Sequence, residues 1–286
     1  MRNQINNLGL KDFEGYSPNE MEFIMDDMFG VRCPIKLLRM SEEDYKNVPI
    51  LNQVKYLLKI IQESGELQLT KKGFLQTKTV ADIYKQGFYL DPYIESGVNK
   101  LYKETDSMLI SFTSTIIQCS NLVKKRHNKL SLTKKGSLLL ADNFKLMPII
   151  FKTFGEDIKW SHFDNFGENF IGQIAYGYSI ILVSKYGDEQ RDGSFYALKY
   201  FKAFPKLFLK IYPGYGSLRE FTTRCYTLRT FERFLDYFGI IKVERGDLQV
   251  SDIKIEKTAL FDKLIHRSPH TSDSEIMAEE KASWVN

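Results

Sequence analysis

The sequence predicts a mainly α-helical protein with short β-hairpins, and three observations carry that expectation. Apolar residues recur every three or four positions over long stretches. The clearest are Leu218, Phe221, Cys225, Leu228, Phe231, Leu235 and Phe238, one face of a helix that Gly239 ends. Alternating β-branched segments are short: Ile240 to Glu244 and Leu248 to Ile255 flank Arg245-Gly246-Asp247, where Gly supplies the positive φ of a hairpin turn. Finally, Leu67-Gln68-Leu69-Thr70-Lys71-Lys72-Gly73 returns 63 residues later as Leu130-Ser131-Leu132-Thr133-Lys134-Lys135-Gly136, with six of seven letters kept. Each copy reads as a short strand with one buried face, running through a capping Thr into a helix.

At 286 residues, with 43% hydrophobic and 14% aromatic residues, the chain can fill two or three cored domains and is too apolar to be disordered over most of its length. No charged-then-apolar leader opens it, and its longest apolar-rich run, Phe170 to Val183, is too short to span a bilayer. A cytoplasmic protein without a membrane partner is therefore expected. Cys33, Cys119 and Cys225 are odd in number and lack C-x-x-C spacing, which argues for small buried hydrophobes and against disulfides or zinc. The net charge of +4 is unevenly spread. Residues 1–45 carry 5 basic and 9 acidic groups, 46–145 carry 16 and 8, 146–266 carry 17 and 15, and the last twenty carry 2 and 4. The basic excess sits on the two repeats, where it can face a polyanion or the acidic lead segment.

In chain order, residues 1–40 form a lead segment. Its first sixteen residues are polar and loosely held, and Ser17-Pro18-Asn19-Glu20 then caps a helix that Gly30 stops. Residues 41–146 hold the two repeats. Ser41-Glu42-Glu43-Asp44 opens a short helix, and Pro49 starts a longer one with Ile50, Val54, Leu57, Leu58 and Ile61 on one face, ended by Gly65. Thr70 is expected to cap a helix to Gln86, Asp91-Pro92 to open one through Leu101, and Asp106 or Ser107 to open one ending near Lys124 to His127. Pro148 breaks the pattern and sets a boundary near 146. Residues 147–266 comprise helices over Ile149 to Trp160 and Glu168 to Tyr186, a helix over Phe195 to Ile211 interrupted by Pro205, the long helix from Leu218, the hairpin, and a closing helix over Thr258 to Ile265. Residues 267–286 read as a disordered tail.

Long helix, hairpin and short closing helix over 217–266 resemble the back half of a winged helix. The Leu-x-Leu-Thr-Lys-Lys-Gly copies resemble the point where a wing's last strand passes through a capping Thr into the final helix. The resemblance implies tandem winged-helix-like units, two over the repeats and one at the C-terminal end, around a helical middle. Over residues 35–266 the pattern is also similar to uncharacterised bacterial proteins with repeated Leu-Thr-Lys-Lys-Gly units. These motifs are structural and carry no catalytic residues across.

Two groups of side chains qualify as a nucleic-acid interface. Lys124, Lys125, Arg126 and Lys129, followed by Lys134 and Lys135, can neutralise phosphates, or they can be a solvated helix end favoured by the dipole. Lys71 and Lys72 carry a weaker form of both readings. On the helix from Leu218, Arg219, Arg229 and Arg233 project within about 80° of one another at 100° per residue. There they would meet guanine edges or phosphates in a major groove, or pair with Glu220, Glu232 and Asp236 on the same helix. No metal-ligand spacing, phosphate loop or nucleophile motif appears, so neither enzyme nor cofactor is expected. Two functions stay open: a non-enzymatic nucleic-acid-associated or regulatory protein with duplex DNA as partner, and a protein-interaction or scaffold module that binds no nucleic acid.

Overall fold

The structure is a computed structural model that describes residues 6–209, 211–214, 216–245 and 253–270. Among them, short strands run in chain order as β1 (Ile35–Leu37), β2 (Leu67–Gln68), β3 (Val123–Arg126), β4 (Lys129–Leu132), β5 (Arg191–Asp192), β6 (Ile241–Arg245), β7 (Ile253–Lys257) and β8 (Ile265–Arg267). Helices make up most of the rest, so the chain adopts the expected class, mainly α with short β elements. It divides into two compact units, one of residues 1–38, 170–230 and 243–286, the other of residues 39–169 and 231–242.

The second of these units is built on the Pro49–Ser64 helix. Pro49 pre-sets its first turn, Ile50, Leu51, Val54, Leu57, Leu58 and Ile61 are buried, and Gly65 ends it with φ 72°. Against it packs the Met108–Cys119 helix, capped by Ser107. That helix buries residues around almost its whole circumference, because Phe112 sits among the rings of Phe154 at 4.8 Å, Trp160 at 5.2 Å and Phe163 at 4.6 Å. Its buried Thr113 hydroxyl accepts a hydrogen bond from the Gln53 amide at 2.8 Å, which satisfies both groups in the core.

β2, β4 and β3 form one sheet in that order, with Leu67 opposite Leu130 and Gln68 opposite Lys129. The two heptapeptide copies, which the sequence analysis assigns to two separate winged-helix-like units, therefore lie side by side in one sheet. Their backbones also differ. In the first copy the Thr70 N–H donates to the Phe74 carbonyl at 2.8 Å, the Thr70 hydroxyl accepts from the Phe74 N–H at 3.1 Å, and Gly73 has φ 84°. This is a tight turn, and the helix begins only at Thr77, with Gln76 and not Thr70 at the position before it and no side-chain cap. In the second copy Thr133 does cap the Lys134–Leu139 helix, its hydroxyl accepting from the Gly136 N–H at 3.0 Å. A Cβ on Gly136 would lie 2.1 Å from the Leu122 carbonyl oxygen. Glycine is needed twice, for the sign of φ in one copy and for close approach in the other.

Three further expectations change. The helix placed up to Lys124–His127 stops at Cys119, and Lys124–Arg126 belong to β3. The turn into β4 has His127 at φ 46° and Asn128 at φ 56°, the geometry of a two-residue type I′ hairpin. The helix opened by Pro92 ends at Glu95. Pro148 lies inside the Asn143–Lys152 helix and does not break it, and a π turn over Thr153–Asp157 follows.

In the other unit, residues 10–16 are held in place. Tyr16 is buried and donates its hydroxyl to the Ser268 carbonyl at 2.6 Å. The Glu14 carboxylate accepts from Lys199 at 2.7 Å, Tyr186 at 2.6 Å and Lys185 at 3.1 Å. Burial alone would raise this carboxyl, yet the three donors hold it below its ordinary range. Ser17 and Glu20 form the expected capping box of the Pro18–Asp26 helix. β1 pairs with β8, Ile35 opposite Arg267, so Arg267, assigned by the sequence to the tail, ends a strand. Residues 271–286 lie outside the described residues, as does the turn at Gly246-Asp247.

The Tyr176–Tyr186 helix is shorter than its apolar run suggests and packs Gly177 against Ile24 and Met28. In chain order there follow β5, the Gly193–Ala203 helix, the helical run Leu218–Phe238, whose residues from 231 on count to the second unit, then β6, β7 and the Ala259–Leu264 helix, with sheet order β5-β7-β6. The chain thus repeats one arrangement: helix, strand, helix, helix, strand, strand, with the first strand beside the last. The run from Leu218 is α-helical to Thr227 and π-helical over Leu228–Leu235.

Because the glycines serve different ends, Gly136→Ala is predicted to lower the unfolding free energy by about 1–3 kcal/mol through overpacking. Gly73→Ala should lower it by about 1–2 kcal/mol through left-handed strain. Gly73→Asn, a residue that tolerates the left-handed region, should lose less than Gly73→Ala, whereas Gly136→Asn should lose more than Gly136→Ala; urea titration of the four variants reads the difference.

Candidate nucleic-acid interface

The register of the β3–β4 hairpin sorts its side chains. Val123 faces Leu132 and Lys125 faces Leu130, while Lys124 faces Ser131 and Arg126 faces Lys129. Side chains alternate along a strand, so Val123, Lys125, Leu130 and Leu132 share one face and Lys124, Arg126, Lys129 and Ser131 the other. Val123 and Leu130 on the first face are buried, and the three cations of the second are exposed. Arg126 directly opposite Lys129 sets like charges against each other, which destabilises an antiparallel pair. Lys129 is offset by Glu66 at 2.8 Å, a pair with both side chains about half exposed and hence weak.

The first repeat adds to this surface. The Leu69 N–H donates to the Asn128 carbonyl at 2.8 Å, and the Lys125 ammonium reaches over to the Gly73 carbonyl at 3.2 Å. The exposed Lys71 and Lys72 in the turn are thereby fixed beside the hairpin. Lys134 and Lys135 sit at the far end of β4, on the first turn of the Lys134–Leu139 helix, where the dipole disfavours cations. Lys135 donates to the Ser120 carbonyl at 2.8 Å.

The arginines after Leu218 stand differently. Arg219 is exposed. Arg229 is fully buried and donates to the Ile171 carbonyl at 3.2 Å, and half-buried Arg233 donates to the Phe163 carbonyl at 2.6 Å. Neither guanidinium is placed to meet a phosphate. Beyond Leu228 the chain winds as a π-helix, so a projection at 100° per residue fails there.

Residues 46–145 match the Y4jL N-terminal domain family. The matched span holds the whole first helix–strand–helix–helix–hairpin set and the basic excess of the sequence, and it covers a minority of the chain. No curated protein and no solved structure gives a significant match.

A pocket of 380 Å³ is lined by Lys71, Lys72 and Lys103, by Phe74 and Leu75, and by Glu104. Glu104 is 6% exposed and accepts from the Leu75 N–H at 2.5 Å. Burial pushes its carboxyl above the ordinary range, against the opposing pull of Leu75, Ser114 and Lys125. The sequence gives no signal for this pocket, because its two sides are some thirty residues apart and carry no motif. Of the cysteines, Cys33 and Cys225 are buried, whereas Cys119 is exposed at its helix end. Among the described residues no three His, Cys, Asp or Glu side chains come together as a metal cluster, and no helix is long and apolar enough to cross a membrane.

Raised in the fold, the Glu104 carboxyl favours the folded state most when protonated, so its contribution falls as pH rises from the ordinary value of 4.5 through the folded value. Glu104→Gln should therefore gain stability relative to the natural chain between pH 4 and pH 7, read as urea midpoints of both proteins across that range.

Proposed function

We propose that this is a non-enzymatic winged-helix-like protein that binds nucleic acid through the phosphate-facing surface of its β3–β4 hairpin. One observation carries the reading: Lys124, Arg126 and Lys129 share one exposed face, two of them directly opposed, with a single exposed carboxylate to offset them. A polyanion laid on that face relieves the repulsion, and Lys71 and Lys72 add charge in the turn that Lys125 reaches from the hairpin's other face. The element order, with the first strand beside the last in both sets, is that of a winged helix, which supports the fold side of the reading. It supports two such sets in place of three units, since the heptapeptide copies share one sheet.

The usual base-reading element is not suited to the task here. The Met108–Cys119 helix carries no cation and is buried along most of its length. Binding therefore rests on backbone phosphates and is indifferent to sequence. The alternative, a protein-interaction module, draws support from Leu90, Tyr93, Val98 and Tyr102, each more than half exposed.

Fluorescence anisotropy with a mixed-sequence duplex is expected to show binding at low salt that weakens steeply as salt rises. The triple variant Lys124→Gln, Arg126→Gln, Lys129→Gln should reduce the slope of log K against log salt by roughly 0.9 per lost contact. No binding by the natural chain at low salt, or an unchanged slope in the variant, refutes the proposal.

A further inference from the structure

The pocket between the 70–74 turn and residues 103–105 goes beyond general phosphate contact. Its volume of 380 Å³ is at the lower end of the ~300–1,000 Å³ of small-molecule sites. The chemistry of its lining is divided. Three exposed lysines, Lys71, Lys72 and Lys103, line it, and Lys103 makes a long contact of 3.9 Å with Asp106. Inside, Phe74 presents a ring 41% exposed beside Leu75, an unusual place for a large aromatic side chain in a cation-rich turn. The Glu104 carboxylate is committed to the Leu75 N–H and holds the wall in place. A ligand matching this division has an anionic end and a flat, weakly polar body.

A phosphate alone would leave the ring unused, and a neutral aromatic would leave the lysines unused. Inside a duplex each base is stacked and paired, so it cannot offer its face to a side chain. An unpaired nucleotide can, and aromatic rings bind such bases irrespective of identity. The Lys125–Gly73 hydrogen bond joins this turn to the hairpin face opposite Lys124, Arg126 and Lys129, and the Leu69–Asn128 hydrogen bond holds the segment at the hairpin's tip, so a strand on the basic face brings its end to the pocket by passing round that tip. We infer that the pocket takes one unpaired nucleotide at the end of a bound strand, its base against Phe74 and its phosphate among Lys71, Lys72 and Lys103. The inference rests on the nucleic-acid reading above and adds the form of nucleic acid preferred: a duplex with a single-stranded end.

The test compares a blunt mixed-sequence duplex with the same duplex carrying three unpaired nucleotides, of either polarity, by anisotropy at one fixed low salt. The natural chain is expected to bind one of the overhang duplexes about tenfold more tightly than the blunt one, a size typical of base–aromatic stacking. Phe74→Ala should abolish that gain and leave blunt-duplex affinity unchanged, and Phe74→Leu, which keeps bulk without a stacking ring, should do the same if the variants fold alike by thermal melting. Equal affinity for blunt and overhang duplexes, or a gain that survives both substitutions, overturns this inference while the general reading stands. Absence of binding to every duplex overturns both.

Discussion

The register that sets Leu67 opposite Leu130 fixes which hairpin side chains turn to the core and which turn outward. A slip of one residue between β2 and β4 would bury Lys129 and expose Leu130, because side chains alternate with a period of two. The core contact of Leu130 therefore selects the face on which Lys124, Arg126 and Lys129 appear. Between the paired strands the chain makes a long excursion, and the buried Met108–Cys119 helix with its ring of aromatic neighbours anchors that excursion against the Pro49–Ser64 helix. Packing supplies the energy and the register supplies the address.

What the sequence revealed depends on how local the cause is. Ser17 with Glu20, Gly65 and Thr133 mark their helix ends correctly, since a cap is decided within one turn of chain. Thr70 misleads although its neighbours are the same as those of Thr133. Its segment is pulled into a turn by pairing with a strand about sixty residues away, which no local rule contains. Lys124–Arg126 were legible as a basic cluster and illegible as a strand, because the signal lies in Asn128 accepting a left-handed conformation beside His127. Arg229 failed for a different reason: its burial depends on packing around a π-helical stretch, which changes the angular step per residue.

The repeated order of elements does not repeat the chemistry. In the β6–β7 hairpin the exposed positions Lys242 and Glu244 are of mixed sign, and Lys257 is occupied by Asp188 at 2.9 Å and Asp262 at 3.0 Å. The first hairpin concentrates positive charge, offset at Lys129 by Glu66, whereas the second mixes its signs and pairs Lys257 with two carboxylates. Similar backbones thus carry different charge patterns, and only the first lies within the span that matches the Y4jL N-terminal domain family.

β3 is the outer strand of its sheet, and its free edge offers unpaired N–H and C=O groups to any passing extended chain. Three consecutive cations, Lys124, Lys125 and Arg126, stand on that edge, and copies of it repel one another before their backbones can join. The residues proposed to meet a polyanion thus also oppose edge-to-edge pairing of copies of this strand. A ligand that neutralised them without covering the backbone would turn a solubility device into a site of aggregation.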